Sequence, residues 1–342
     1  MQSTHPFSLH RTIKDNGVFV IAEAGSNHDG SLAAAKRLVR EAASAGAHAV
    51  KFQAFTKDGL FAAAAYTRLL KLPANALDGV KKIAFKKEWY PVLVQEARQA
   101  GILFMSTPFS PEAVDDMERA KVPCYKIASG DIQCVPLLKA VARTGKPVIL
   151  SAGLASDDDI RAALRILKRN EVALLQCTVS YPAKTEDLHL RRIGTLAKRY
   201  SVIAGLSDHS TSAVTPAVAV ACGARIIEKH FTVTPNAKGG DHAMSMSPAS
   251  FAAMTGYIRE AFVSLGLDEK RLTPQEKKEL VFARRGIYAA ADIPAGHRLR
   301  EADIVALRPC IGISSAKWDS VIGKRLPHAR MKGESLTKKD IR

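Results

Sequence analysis

Eight short apolar runs in the first 231 residues end in side chains that could do chemistry. Glu23 closes the first, Lys51 and Gln53 lie on the second, and Ser106-Thr107 end the third. Lys126 and Ser129 follow on the fourth and Ser151 on the fifth, while the sixth runs into Thr178 and Tyr181. The seventh ends Ser207-Asp208-His209 and the eighth Glu228-Lys229-His230. Cations, carboxylates, hydroxyls and imidazoles at one end of every run are the equipment of an anion site, a metal site or both. A scaffold with a purely structural role has no need of them.

Alternate side chains of a strand share a face. Lys51 therefore points with Gln53, Ser207 with His209, and Glu228 with His230. If the last two runs are neighbours, His209 and His230 stand side by side. Two neutral imidazoles with a nearby carboxylate, Glu23 or Asp241, form a divalent-metal site with open positions. The alternative is two unrelated histidines, one in a helix-capping loop and one packed. Lys51 and Lys126, beside Thr107, Ser129 and Ser151, make a cradle for a phosphate or carboxylate, where cations give charge and hydroxyls give direction. The alternative there is lysines that snorkel or sit in salt bridges, and Lys126 could also form a Schiff base. His28 and His242 lie in polar loops and are expected to be solvated. The Gly239-Gly240 pair before Asp241-His242 would let backbone approach a ligand closely.

The elements that must position these groups alternate. Candidate strands at 18–24, 49–55, 102–107, 124–128, 147–152, 172–178, 202–206 and 224–231 are separated by helical spacing at 31–45, 88–100, 111–120, 156–168 and 188–199. Ser156 before three aspartates reads as a helix start. Near-continuous apolar strands imply a parallel sheet covered by helices. Eight strand-helix units in about 250 residues fit a closed (β/α)8 TIM barrel. An open doubly wound sheet would carry a Gly-rich GxGxxG turn after its first strand, and Gly25 to Gly30 is not one. Residues 1–266 are expected to be the barrel and 267–285 a charged linker with some helix. Residues 286–342, with short strands and turns, should form a small β-rich domain.

Composition narrows the classes. Apolar residues at 47% and charged residues at 24% indicate a globular protein. The N-terminus lacks a signal-peptide core and no apolar run reaches a membrane-spanning length of about 18 residues, so a cytoplasmic location is expected, with no membrane partner. Five dispersed cysteines without a CxxC pair argue against a disulfide framework or a zinc knuckle. The net charge of +17 admits nucleic acid, a membrane surface or anionic substrates. Its basic residues come as scattered pairs among few aromatics, which disfavours nucleic acid.

Taken in order, these residues resemble the N-acetylneuraminate (sialic acid) synthase family. The resemblance runs through Ile21-Ala-Glu23-Ala-Gly-Ser-Asn27-His28-Asp-Gly30, Val50-Lys51-Phe-Gln53, Ser106-Thr-Pro-Phe-Ser110, Tyr125-Lys126-Ile-Ala-Ser129-Gly-Asp131, Ile149-Leu-Ser151-Ala-Gly153 and Gln176-Cys-Thr-Val-Ser-Tyr181-Pro182. Its most specific parts are Gly205-Leu-Ser207-Asp208-His209, Ile227-Glu228-Lys-His230-Phe231 and Gly240-Asp241-His242. The tail, through Asp292-Ile-Pro-Ala-Gly296 and Leu307-Arg308-Pro309, resembles that family's C-terminal antifreeze-like (SAF) domain.

The resemblance implies a transferase that condenses phosphoenolpyruvate with N-acetylmannosamine or a related N-acetylated sugar. His209 and His230 would bind a divalent metal, Mn2+ before Mg2+ or Co2+. Lys51, Gln53, Thr107, Lys126, Ser129, Asp131, Ser151 and Ser207 would serve substrate binding. Glu23 would be the main catalytic carboxylate, with Asp241 near metal and sugar and Tyr181 lining the sugar pocket. The family's swapped homodimer would bring Arg308, with Phe282 nearby, to the partner's sugar. Val179, Lys184 and Gly240 depart from the family pattern, which leaves the sugar open, including the diacetamido trideoxy sugars of legionaminic or pseudaminic acid. The rivals are a heptulosonate- or octulosonate-phosphate type synthase and a non-catalytic carbohydrate- or ice-binding protein.

Overall fold

Strand periodicity sorts the side chains of the first unit into three environments. The computed structural model describes residues 7–73, 75–237 and 239–341, which divide into two compact units, Met1–Gly266 and Leu267–Arg342. In the first, eight parallel strands run β1 (Phe19–Gly25), β2 (Ala49–Ala54), β3 (Leu103–Pro108), β4 (Tyr125–Ile127), β5 (Val148–Ser151), β6 (Val172–Cys177), β7 (Ile203–Asp208) and β8 (Ile226–His230). Their order is β3-β2-β1-β8-β7-β6-β5-β4, and β3 lies beside β4 to close the ring. This is the (β/α)8 barrel expected from the alternation of apolar runs and helices.

Outward residues such as Val20, Ala22, Phe52, Leu150, Leu174 and Ile227 pack against the helices in one large core. Inward residues of the lower strands, Phe19, Ile21, Ala49, Met105, Cys124, Ile149, Leu175 and Ile226, form a separate apolar floor. Two residues further along, the inward positions of every strand but β6, which has Cys177, turn polar, giving Glu23, Lys51, Thr107, Lys126, Ser151, Ser207 and Glu228. Gly205 has no side chain because β7 runs too close to β8: a Cβ there would lie 2.2 Å from the Ile226 carbonyl oxygen.

The helices begin where local chemistry favours them. Ser31 caps Leu32–Ser44 and Ser110 caps Pro111–Arg119. Ser156 forms a reciprocal capping box with Asp159 at the start of Asp157–Ile166. Helix Leu9–Asn16 was not foreseen from its sequence. It inserts Leu9 into the apolar floor, and the Leu9 and His10 amides donate to the Glu171 carboxylate at 2.9 and 2.7 Å. A further difference lies in residues 57–83, where three short helices occupy what the periodicity left unassigned.

The second unit contains helix Pro274–Ala283, opened by a Thr273–Glu276 capping box, and an antiparallel pair, β9 (Gly286–Ala289) with β10 (Ile304–Leu307). Ile287, Ile293, Leu299, Ile304, Val321, Leu326 and Leu336 make its own core. Among the described residues of either unit, no helix is long and apolar enough to cross a membrane.

Candidate active site

The polar ends of the barrel strands meet in one cavity of about 100 Å3. Its lining includes Glu23, Lys51, Gln53, Thr107, Lys126, Ser129, Ser151, Tyr181, Ser207, His209 and His230. The cause is register: Glu23 pairs laterally with Lys51 on one side and His230 on the other, and Ser207 pairs with both Cys177 and Glu228.

At the centre is a buried cluster of two lysines and two carboxylates. Lys51 forms an ion pair with Glu23 and donates to Thr107 Oγ1 at 3.0 Å. Glu228 Oε1 lies 3.6 Å from Lys51 Nζ and 3.7 Å from Lys126 Nζ, and accepts from Ser207 Oγ at 3.2 Å. Gln53 Nε2 donates to Glu23 Oε1 at 2.8 Å. Ser129 Oγ accepts the Gly153 amide, whereas Ser151 Oγ and Glu228 Oε2 are buried without a hydrogen-bond partner. Unsatisfied buried polar atoms cost about 1–3 kcal/mol each, so this end of the barrel is shaped for something polar rather than for stability.

The electrostatics divide the two carboxyls. Burial alone would raise Glu228, but Lys126 and Lys51 together hold it below the ordinary glutamate value. Burial raises Glu23, reinforced by the neighbouring Glu228 charge and only partly opposed by Lys51. Of this pair Glu23 is therefore the carboxyl that holds a proton more readily, as an acid-base group must. Burial lowers Lys126, while for Lys51 the two carboxylates outweigh burial and raise it.

His209 and His230 face each other at the rim with ring centroids 5.4 Å apart, and the Tyr181 ring packs at a tilt against His209 at 4.2 Å. Burial lowers both imidazoles, His230 most strongly, with His209 and Lys51 adding to the effect. Both are thus neutral donors at physiological pH. The His209 Nδ1–H donates to the Thr178 carbonyl at 2.8 Å, which leaves the Nε2 lone pair free. His230 Nδ1 is buried with no hydrogen-bond partner, and Asp241 Oδ2 lies 3.6 Å from it. Among the described residues no group of three or more His, Cys, Asp or Glu could enclose a metal ion. The donor set fits an open site of two imidazoles whose remaining positions face the cavity.

Asp131, Phe282, Arg308 and Asp241 complete the expected set. Asp131, on the turn Ser129–Asp131, is half-buried and does not line the cavity, and burial raises its carboxyl against the pull of Lys126. Phe282 and Arg308 belong to the second unit, where both are exposed. Asp241 sits on the loop after β8, and its carboxylate comes so close to the β1 end that a Cβ on Gly25 would lie 2.8 Å from Asp241 Oδ2. Gly25 also has φ +50°, which favours glycine.

The two loop histidines correct the expectation of solvation. His28 is fully buried against Phe52, Phe85 and Trp89, and burial lowers it to about 4. His242 is buried as well, bridging Thr232 Oγ1 at 2.7 Å and the Asp29 carboxylate at 3.2 Å. The residue that sequence reasoning passed over is Glu228, which stood at a strand end without a role. Its signal was available, since Glu228 alternates with His230 on the inward face.

Comparison with known proteins adds to this geometry. The NeuB family profile matches residues 38–270, and a SAF domain matches residues 284–342. The N,N'-diacetyllegionaminic acid synthase of Campylobacter jejuni is 34% identical over 89% of this chain and 94% of its own length. A pseudaminic acid synthase of the same species is 32% identical over 96% of this chain and 98% of its own. The crystal structure of N-acetylneuraminic acid (sialic acid) synthetase from Leptospira borgpetersenii, in complex with citrate, superposes with a TM-score of 0.70 at 37% identity. It covers 77% of this chain and 90% of that one.

Proposed function

This chain belongs to the NeuB family, and on that premise we propose that it joins phosphoenolpyruvate to an N-acetylated amino sugar, N-acetylmannosamine first, giving a nonulosonic acid and phosphate. The observation that carries the reading is the pair of buried lysines, Lys51 and Lys126, ringed by hydroxyls directly below two neutral imidazoles.

Phosphoenolpyruvate carries its phosphate and its carboxylate on the same carbon, C2. Lys51 and Lys126 supply charge to it, and Thr107, Ser129, Ser151 and Ser207 supply directed hydrogen bonds. An arriving phosphate competes with Glu23 for Lys51, which releases Glu23 from its ion pair. The enol C3 then attacks the aldehyde carbon of the open-chain sugar, leaving positive character at C2. Water adds at C2 and gives one proton to Glu23, which returns it to the alkoxide formed from the aldehyde oxygen. Phosphate then departs with cleavage of the C–O bond, taking the remaining hydroxyl proton as the C2 ketone forms. Glu228 keeps the lysines protonated and balances their charge before substrate binds.

His209 and His230 would hold a divalent ion, Mn2+ in our reading with Mg2+ or Co2+ as alternatives. Such an ion supplies Lewis acidity to the sugar carbonyl when bound. Asp241 and Tyr181 border the same place and would orient the acceptor. Arg308 and Phe282 would serve a partner's acceptor in a domain-swapped homodimer. Val179 lines the cavity as an apolar group, which supports a second reading of the acceptor as a less polar diacetamido trideoxy sugar.

The test is product mass from phosphoenolpyruvate and Mn2+ across N-acetylmannosamine, its 6-phosphate and diacetamido trideoxy sugars. A sugar-plus-pyruvate product that disappears on chelation and returns with Mn2+ supports the proposal, and the best acceptor chooses between the readings. No product with any acceptor, from folded protein, would refute it.

A further inference from the structure

Asp241 comes from a loop that no strand or long helix fixes, yet its carboxylate must stay within reach of His230 and the acceptor. Asn27, on the loop after β1, is almost fully buried and uses its whole side-chain amide on this one loop. Its Oδ1 accepts the Asp241 backbone N–H at 3.0 Å. Its Nδ2 donates to the Phe231 carbonyl at 3.0 Å, immediately after His230, and to Ser245 Oγ at 2.9 Å. Ser245 Oγ in turn donates to the Asp241 carbonyl at 2.6 Å. The backbone on both sides of the Asp241 side chain is thereby tied, through one amide, to the ends of the two strands that carry Glu23 and His230. The clamp is close-fitting: Gly240 has φ +56°, and a Cβ there would lie 3.3 Å from Asn27 Oδ1.

We infer that Asn27 is a positioning residue for the acceptor half of the reaction, with Ser245 as its relay, holding Asp241 in register with His230. The inference rests on the catalytic role proposed for Asp241. A group held through a single buried amide moves when that amide is lost, and a displacement of about 1 Å at a reacting group costs on the order of 10²-fold in rate. Asn27 touches none of the lysine cradle residues in the hydrogen-bond network, so phosphoenolpyruvate binding should not depend on it.

The experiment is a double-mutant cycle on kcat with Asn27→Ala, Asp241→Asn and the double variant, with KM for phosphoenolpyruvate and folding by circular dichroism measured alongside. Asn27→Ala should lower kcat on the order of 10²-fold and leave KM for phosphoenolpyruvate within about twofold. In the Asp241→Asn background the same substitution should lower kcat by less than about threefold, because coupled residues are non-additive. Ser245→Ala, a milder cut in the same relay, should show the same pattern at smaller amplitude and keeps the test alive if Asn27→Ala does not fold. Multiplicative losses in the double variant, or a raised KM for phosphoenolpyruvate in Ser245→Ala, would overturn the inference while leaving Asp241 catalytic. An Asp241→Asn protein with wild-type kcat would instead overturn the role proposed for Asp241 itself.

Discussion

Replacing Glu228 with Gln keeps the shape of the buried cluster and removes one of its two negative charges. Glu228 stands 3.6 and 3.7 Å from two buried ammonium groups. At an effective dielectric near 20, each attraction is worth roughly 4–5 kcal/mol. Desolvation of the carboxylate cancels part of this, and breaking a buried ion pair from one side costs about 3–5 kcal/mol net. Glu228→Gln should lose about that much stability at pH 7. The sign with pH follows from its depressed value: the contribution is present above the unfolded value of 4.5 and is lost as pH falls through the folded one. The gap between wild type and variant should therefore narrow in acid.

The assay is urea unfolding followed by Trp89 fluorescence in a Trp318→Phe background, since the second of the two tryptophans belongs to the other unit. Added inorganic phosphate should stabilise Glu228→Gln more than wild type, because an anion between the lysines replaces the missing charge. A loss below about 1 kcal/mol, far short of a broken buried pair, or equal stabilisation of both proteins by phosphate, would refute the electrostatic reasoning.

Other outcomes follow from the same geometry. Lys126→Met should raise KM for phosphoenolpyruvate about ten- to hundredfold, the value of a hydrogen bond to a charged group, with KM for the sugar unchanged in steady-state kinetics. Glu23 is raised by burial and must be ionised to accept a proton. The pH profile of kcat/KM should therefore fall on the acid side with a midpoint above 4.5, and Glu23→Gln should abolish that limb. Lys229 is fully buried beside Asp208 at 2.7 Å, outside the cavity. Lys229→Met should cost about 3–5 kcal/mol in chemical unfolding by stranding that carboxylate.

Much of the fold and site was legible because strand chemistry is periodic. Inward positions read apolar, then ionisable, as in Phe19, Ile21, Glu23 and Ile226, Glu228, His230, and that order alone places a floor below a polar rim. What stayed hidden depends on contacts from distant sequence. His28 sits among Asp and Gly, which reads as solvent, but Phe52, Phe85 and Trp89 arrive to bury it. Asp208 and Lys229 each look like surface charges at strand ends until β7 and β8 pair them. The placement of Leu9 in the barrel floor has no local signal, because one buried residue in a short polar helix sets no period. The position of Asp241 is fixed by an asparagine more than two hundred residues earlier, a relation that spacing cannot encode.

The most direct test of the central claim follows the bridging oxygen of phosphoenolpyruvate. With that atom labelled as 18O, phosphate release is measured with and without N-acetylmannosamine in the presence of Mn2+. Release is expected only with the sugar, and label in the phosphate, since the C–O bond breaks after water adds at C2. Release without sugar, or unlabelled phosphate with the label kept in the organic product, would contradict it.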